Sequence, residues 1–240
     1  MPRGRSLVTV AILAALQGEL AAIHHGFELS PAPELAPIEG HRFRYHGLDV
    51  VAVRTGVGKV SAAMATQRVI DAVSPTALIN TGIAGGLDAT TVRIGDVVVA
   101  IDCAQHDMDA TPLGFQVGEV PYSGMRFVVA DPALAAAALA AACGEHAVLS
   151  GRVLSGDQFV RKPPAAQMRR LRDLGGTVVE MEGAAIGHVA TLNRVPFAIV
   201  RTVSDFADGS AAADLERFLP LAARNSLAVC RSILDLLRAA

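Results

Sequence analysis

Short, strongly apolar stretches recur along the whole chain, and segments with a helical pattern of apolar residues separate several of them. The apolar stretches are predicted to be strands and cover residues 7–16, 48–53, 77–80, 96–101, 127–129, 147–154, 177–179 and 196–203. Strands that alternate with helices are typical of an α/β protein, in which helices cover both faces of a largely parallel sheet. This alternation constrains the fold more than any other feature of the sequence.

Helices are predicted for residues 58–73, 132–143, 182–192 and 214–238. Asp131 before Pro132 is a typical helix start, because the Asp side chain accepts from first-turn amides and proline lacks an amide that would have no partner. Pro220 predicts a kink or a new start near the beginning of the last helix. No repeat or linker divides the chain, so we predict one domain over residues 1–240.

The first twenty residues allow two interpretations. Basic residues precede an apolar run, as in a secretory signal, but a buried strand of a parallel sheet gives the same run. The run is too short to span a bilayer. Glu19 follows it directly and is needed by the chemistry inferred below. We therefore favour a strand, and expect a cytoplasmic protein that has no membrane segment.

Charge and cysteine content exclude several classes of protein. The chain has 21 Lys and Arg against 23 Asp and Glu, so nothing favours a nucleic-acid partner. Its three cysteines are far apart and odd in number, which fits a reducing compartment and excludes a disulfide framework or a cysteine-rich zinc site. Hydrophobic residues make up 52% of the chain, enough for a large core.

Two polar clusters follow predicted strands in the middle of the chain. Residues 80–86 read Asn-Thr-Gly-Ile-Ala-Gly-Gly, which is either a tight turn or a place where the backbone approaches a ligand. The spacing does not match a dinucleotide fingerprint. Glu180 and Glu182 flank Met181 at a strand end. A position in the first helical turn explains one of these carboxylates but not both.

Two further clusters carry charge. Arg201, Ser204 and Asp205 follow the last strand, where the Asp is either functional or a helix cap. His106, Asp107, Met108 and Asp109 include metal-ligand types, but a loop with internal hydrogen bonds explains them and no second ligand cluster is apparent, so we predict no metal. Clusters at several strand ends indicate one site at the carboxyl edge of the sheet.

In this order, the clusters resemble those of the 5'-methylthioadenosine/S-adenosylhomocysteine nucleosidases of the purine nucleoside phosphorylase superfamily. The resemblance is carried by residues 14–20, 55–59, 80–87, 95–98, 106–109, 155–160, 180–184 and 201–208. It implies a three-layer α/β/α sandwich around a central mixed sheet. It also implies a homodimer that uses no metal or cofactor, binds a small-molecule nucleoside and acts in methionine salvage.

The resemblance assigns four catalytic residues. Asp205, held by Ser204, matches the general acid that protonates N7 of the departing purine, so partial burial should raise its pKa. Glu19 matches the base that polarises the attacking water. Arg201 would help to bind that water and to orient the carboxylates.

The remaining matched residues would bind substrate. Glu182 would bind the ribose hydroxyls and Met181 would pack under the sugar, while Phe159 would stack on adenine and the Val160 backbone would read its edge. The turn residues Ala84 and Gly85 would lie against the substrate. The substituent at the 5' carbon would lie in an apolar pocket lined by Val57, Leu113 and Leu215, and by Pro121 from the partner subunit.

This chain departs from the family pattern at several positions. Only Glu19 remains of several consecutive acidic residues in the first motif, and Ile83 stands where a serine is usual. Leu113 and Leu215 replace bulkier aromatic residues of the 5' pocket, and Gln105 replaces an aromatic residue before His106. These changes concern the water site and the choice of 5' substituent.

Three alternatives follow. A hydrolase for another nucleoside, such as futalosine or adenosine, is supported mainly by Ile83. A phosphorylase would need a phosphate pocket where Glu19 would repel the dianion. A non-catalytic sensor or carrier would not need Asp205 and Glu19 together.

Overall fold

The computed structural model describes residues 8–206 and 215–239, which form strands and helices in alternation. The strands are β1 (Thr9–Ala14), β2 (Ser30–Pro31), β3 (Gly40–Tyr45), β4 (Leu48–Arg54), β5 (Ala77–Gly86), β6 (Val97–Gln105), β7 (Val128–Val129), β8 (Val148–Ser155), β9 (Val178–Glu180) and β10 (Phe197–Phe206). The helices are α1 (Ala21–Gly26), α2 (Lys59–Val73), α3 (Pro132–Leu139), α4 (Ala165–Asp173), α5 (Gly183–Leu192) and α6 (Leu215–Ala239).

All of these strands belong to one mixed sheet. Strands β4, β1, β5 and β10 pair in parallel, whereas β10 pairs antiparallel with β6, and β9 antiparallel with β5. Because β6 also pairs with β8, and β8 with β9, the strands β5, β10, β6, β8 and β9 close into a ring. The predicted central mixed sheet is confirmed.

Helices cover both faces of the sheet, as predicted for three layers. In β1, Ala11 and Leu13 face a core that includes residues of α2 and α5, whereas Val10 and Ile12 face a second core with residues of α1, α3 and α6. This alternation follows from the twofold period of a strand. Leu171 of α4 packs in a third, smaller cluster.

The predicted elements are found with shifts at their ends. Asp131 caps α3 by accepting from the amides of Ala133 and Leu134, as predicted, but the helix ends at Leu139 rather than at residue 143. A bridge between Cys143 and His146 replaces its last turn. Strand β3 and helix α4 were not predicted.

Two predictions concern the termini. Residues 9–14 form a buried strand inside the sheet, as favoured above, whereas residues 1–7 lie outside the described part of the chain. Pro220 lies within α6 and starts no new helix. Among the described residues, no helix combines the length and the apolar character needed to cross a membrane.

Candidate active site

A cavity of about 240 Å³ lies at the carboxyl ends of β1, β5, β9 and β10. Ten of the predicted site residues line it: Glu19, Val57, Ala84, Gly85, Phe159, Val160, Met181, Glu182, Ser204 and Asp205. The predicted position of the site, at the carboxyl edge of the sheet, is therefore correct. The lining also includes residues that the sequence did not single out as site residues: Ala15, Leu16, Ile83, Gln158, Val179 and Glu180.

Glu19 lies in a short 3-10 turn after β1 and is buried. Its Oε2 accepts from the Leu16 amide at 2.9 Å and its Oε1 accepts from the Ile83 amide at 3.1 Å. Burial raises the pKa of Glu19 above its ordinary value, although Arg201 and the backbone amides act in the opposite direction. The carboxyl group is thus fixed in place and more basic than a solvated one.

The pairing of β5 explains why an amide is free for Glu19. Strand β1 pairs with β5 only up to Asn80, and β9 pairs with β5 from Gly85 onward. The segment between these pairings therefore lacks a strand neighbour on that side, and the Ile83 amide donates to Glu19 instead. The gap in the pairing of β5 thus provides the backbone amide that binds the Glu19 carboxylate.

Gly82 lies at the centre of the same gap. A Cβ at this position would come within 2.5 Å of Oε1 of Glu19 and 2.7 Å of Nη1 of Arg201. Close backbone approach was one of the two interpretations of this glycine-rich segment, and here it serves the protein's own side chains. Glu19 and Arg201 therefore converge above one Cα atom.

Arg201 of β10 is fully buried and forms an ion pair with Glu180 through Nη2. The same nitrogen donates to Oδ1 of Asn80 at 2.5 Å. Burial lowers the pKa of Arg201, but Glu180, Glu182 and Glu19 outweigh that effect and leave the pKa raised. The guanidinium is therefore charged, as its role in binding water would require.

The two carboxylates around Met181 have different partners. Glu180 faces inward and accepts from the amides of Glu182 and Gly183 at the start of α5, at 3.0 and 2.9 Å. Glu182 faces the cavity and accepts from the Gly58 amide at 2.8 Å. Burial and the neighbouring Glu180 raise the pKa of Glu182 to about 7. Neither carboxylate thus lies in the first turn of α5: Glu182 directly precedes the helix, and Glu180 ends β9 but binds the amides at the helix start.

Asp205 is half-buried and lies inside β10, so the helix-cap interpretation is wrong. The Ser204 hydroxyl donates to Oδ1 of Asp205 at 2.7 Å, as predicted. The Ala84 carbonyl lies 3.4 Å from the same hydroxyl. Because β5 separates β1 from β10 in the sheet, Glu19 and Asp205 lie on the two sides of the end of β5.

Three predicted residues of the 5' pocket are not among those that line the cavity. Leu113 ends a short 3-10 turn and is 69% exposed, and Pro121 lies in a half-exposed turn. Leu215 begins α6, but its side chain lies outside the described part of the structure. The placement of Leu113 in the cavity of its own chain is therefore wrong.

The cluster at residues 106–109 is held mainly by hydrogen bonds from distant parts of the chain, whereas the predicted local bonding is found between Thr111 and Asp109. Asp107 accepts from Nζ of Lys59 at 2.7 Å and from the Asp157 amide at 2.9 Å. Asp109 accepts from Thr111 and Arg170. Within residues 8–206 and 215–239, no three His, Cys, Asp or Glu side chains are arranged to hold a metal ion.

Comparison with known proteins agrees with this architecture. The profile of the phosphorylase superfamily matches residues 9–235. The 5'-methylthioadenosine/S-adenosylhomocysteine nucleosidase of Neisseria meningitidis, solved with methylthio-immucillin-A, is 33% identical over 95% of this chain and 99% of its own, with a TM-score of 0.87. The corresponding nucleosidase of Colwellia psychrerythraea 34H, solved with adenine, is 30% identical over 96% of both chains, with a TM-score of 0.88. Futalosine hydrolase of Helicobacter pylori strain 26695 is also 30% identical, over 95% of this chain and 98% of its own, with a TM-score of 0.87.

Proposed function

This chain belongs to the phosphorylase superfamily, and we propose that it is a purine nucleosidase that hydrolyses the N-glycosidic bond of an adenine nucleoside such as 5'-methylthioadenosine or S-adenosylhomocysteine, releasing adenine. The observation that carries this proposal is the pair of carboxyl groups, Glu19 and Asp205, in one cavity on the two sides of β5. One group would act on water and the other on the purine.

In the proposed reaction, protonated Asp205 donates its proton to N7 of the purine while Ser204 holds its other oxygen. The bond between C1' and N9 breaks, and its electron pair leaves with the purine. Water held near Nη1 of Arg201 adds to C1' and loses a proton to Glu19. Solvent then returns both carboxyl groups to their starting protonation states.

The sugar and the base would lie against the remaining lining. Glu182 would accept hydrogen bonds from the ribose hydroxyls, while the Gly58 amide holds its carboxylate in place by donating to Oε1. Met181 and the turn at Ala84 and Gly85 would pack against the substrate. Phe159 is 62% exposed at the cavity, where its ring is free to stack on adenine.

Hydrolysis is favoured over phosphorolysis because the Glu19 carboxylate already takes the donors that a phosphate anion would need. The Leu16 and Ile83 amides, which could bind a phosphate oxygen, both donate to Glu19. The nearest buried cation, Arg201, is neutralised by Glu180. A phosphate dianion would meet uncompensated negative charge in a site of low dielectric constant.

Futalosine is the second candidate substrate. The match to futalosine hydrolase has the same identity as that to one of the adenine nucleosidases. Ile83 lines the cavity beside Glu19, where a serine is usual in the adenine enzymes that the sequence resembles. The 5' end of the site would decide between these substrates.

We also propose a homodimer that completes the 5' pocket. Val60, at the start of α2, is 80% exposed, and Tyr122, next to Pro121, is 90% exposed. The ion pair of Lys59 with Asp107 joins α2 to the segment that leads to Leu113. Large apolar side chains exposed in neighbouring segments are typical of an interface. Leu113 and Pro121 would thus enter the partner's site.

The direct test incubates the purified protein with 5'-methylthioadenosine, with and without phosphate. Free adenine and free methylthioribose would support the proposal, whereas a phosphate-dependent sugar phosphate would contradict it. Tight binding without turnover would indicate a sensor or carrier. A panel with S-adenosylhomocysteine, adenosine, inosine and futalosine ranks the substrates by kcat/KM.

We expect the enzyme to act in methionine salvage. We also expect it in the cytoplasm, because its buried free cysteines suit a reducing compartment.

A further inference from the structure

The carboxylate of Glu180 is surrounded by hydrogen-bond donors from the protein itself. Its carboxylate accepts from the Ser155 hydroxyl, from the amides of Glu182 and Gly183, and from Nη2 of Arg201. These donors come from β8, α5 and β10, and the side chain is only 3% exposed. Glu180 is therefore held rigidly by three elements.

Arg201 has three carboxylates around it but pairs with one of them. Among the described residues, Glu180 is the carboxylate in ion-pair contact with the guanidinium. Both hydrogen bonds that Arg201 donates to described residues come from Nη2, whereas Nη1 lies above Gly82 near Glu19. Glu19 instead receives neutral backbone amides. The pairing in this buried cluster is thus selective.

We propose that Glu180 is a positioning residue that keeps the Arg201 guanidinium out of ion-pair contact with Glu19, so that Glu19 stays available to a water molecule as a base. The inference rests on the proposed function and adds a residue that the family resemblance above did not assign. Without the Glu180 charge, the buried guanidinium would turn to Glu19, because Nη1 of Arg201 and Oε1 of Glu19 already lie beside the same Cα atom of Gly82, although Glu182 acts more strongly on the pKa of Arg201.

A direct pair with Arg201 would harm catalysis in two ways. An opposite charge in contact lowers the pKa of a carboxyl group, and a carboxylate with a lower pKa is a weaker base. A guanidinium in contact with Glu19 would also occupy the place of the water. The charged groups that face Glu19 are Arg201 from β10 and Glu182 from the start of α5, while Leu219 of α6, which packs on neighbouring Gly18, is uncharged.

The test compares the pH profile of kcat/KM for the wild-type enzyme and for Glu180→Gln. Activity requires ionised Glu19, so it rises with pH through the pKa of Glu19. Glu182, whose pKa of about 7 is raised in part by Glu180, would move in the same direction, so the shift is assigned to Glu19 by the NMR titration and the crystal structure described below. In Glu180→Gln this acid limb should move to lower pH by about one unit, and the plateau kcat should fall roughly tenfold. A crystal structure of the variant should show the guanidinium in contact with Glu19.

Ser155→Ala is the matched control, because it removes one donor to Glu180 but leaves the charge in place. It should lower the melting temperature and leave the acid limb where it is. If Glu180→Gln does not fold, Glu180→Asp, which withdraws the carboxylate by one methylene, should give a smaller shift in the same direction. Carboxyl-carbon NMR, with the Glu19 signal assigned from Glu19→Gln, measures the same pKa without any substrate.

An acid limb that stays in place or moves to higher pH in a folded Glu180 variant would overturn the inference. A guanidinium that keeps its wild-type position would do so as well. Failure of the proposed function looks different, because the wild-type enzyme would then release no adenine. The NMR titration and the crystal structure would still report on Glu180 in that case.

Discussion

The inner wall and the outer mouth of the cavity are built in opposite ways. The inner wall consists of Glu19 and Glu180, which line the cavity, together with Asn80 and Arg201, which do not line it but are joined to Glu180 through Arg201. All four are buried, and hydrogen bonds tie them to β1, β5, α5 and β8. The outer mouth, formed by Val57 and Phe159, is more than half exposed. In the proposed reaction, the difference would leave the chemistry to groups fixed by the fold and the choice of 5' substituent to exposed residues at the mouth.

The largest effect should come from Glu19→Gln, at the centre of the inner wall. Loss of the base should abolish hydrolysis. Gln has the shape of Glu, but its NH2 group cannot accept, so it keeps only one of the two hydrogen bonds from the Leu16 and Ile83 amides. Adenine nucleoside binding, measured by calorimetry, should be retained. Normal turnover would show that the inner wall does not supply the base. If turnover is lost, an unchanged circular dichroism spectrum excludes loss of fold as the cause.

Asp205→Asn should lower kcat by roughly 10²-fold or more, a typical scale for the loss of a general acid. The amide cannot donate the same proton to N7, although Ser204 can still bond to its oxygen. The measurement is the rate of adenine release at saturating substrate. Near-normal kcat would mean that another group protonates the purine.

Gly82→Ala tests whether the inner wall depends on contact between side chain and backbone. The added Cβ would lie 2.5 Å from Glu19 and 2.7 Å from Arg201, so at least one of them must move. We expect kcat to fall about tenfold, since small displacements of reacting groups are costly, with little change in KM. Gly86→Ala is less suitable as a control because Phe206 lies close to it, so Gly26→Ala, at the end of α1, where the added Cβ would meet only Leu227 at 3.6 Å, is used for general effects.

Leu113→Ala should have the smallest effect and should act at the outer mouth. We expect KM for 5'-methylthioadenosine to rise about threefold to tenfold with kcat nearly unchanged, because one apolar contact to the 5' substituent is lost. KM for adenosine, which lacks the large substituent, should not change. Equal effects on both substrates would remove Leu113 from the 5' pocket and weaken the contrast between wall and mouth.

The sequence predicted the inner elements better than the connections between their side chains. Strands such as β1 and β5 could be found because they are buried on both faces and therefore read as continuous apolar runs. Strand β3 was missed because it lies near the edge of the sheet and carries polar residues on its exposed side. Local pattern is thus informative where burial is complete.

The partner of a buried charge could not be read from the sequence. Glu180 and Arg201 are 21 positions apart, and their contact depends on the register of β8, β9 and β10. The sequence did signal that two carboxylates needed an explanation, and the family resemblance assigned Glu182 to the ribose, but nothing in the sequence gave Glu180 a partner. Leu113 does not line the cavity of its own chain, and in the dimer proposed above its substrate contacts would lie in another chain, which a single sequence does not reveal.

The end of β5 is held by β10 on one side along its whole length and by β1 and then β9 on the other. The separation of Glu19 and Asp205, the two carboxyl groups of the proposed reaction, is therefore set by the width of a single strand, which substitutions at the rim of the cavity do not change. Directed evolution of this protein toward new substrates should accordingly leave residues 80–86 unchanged and randomise the exposed apolar positions around the mouth of the cavity. Sugars much larger than ribose would need a different scaffold.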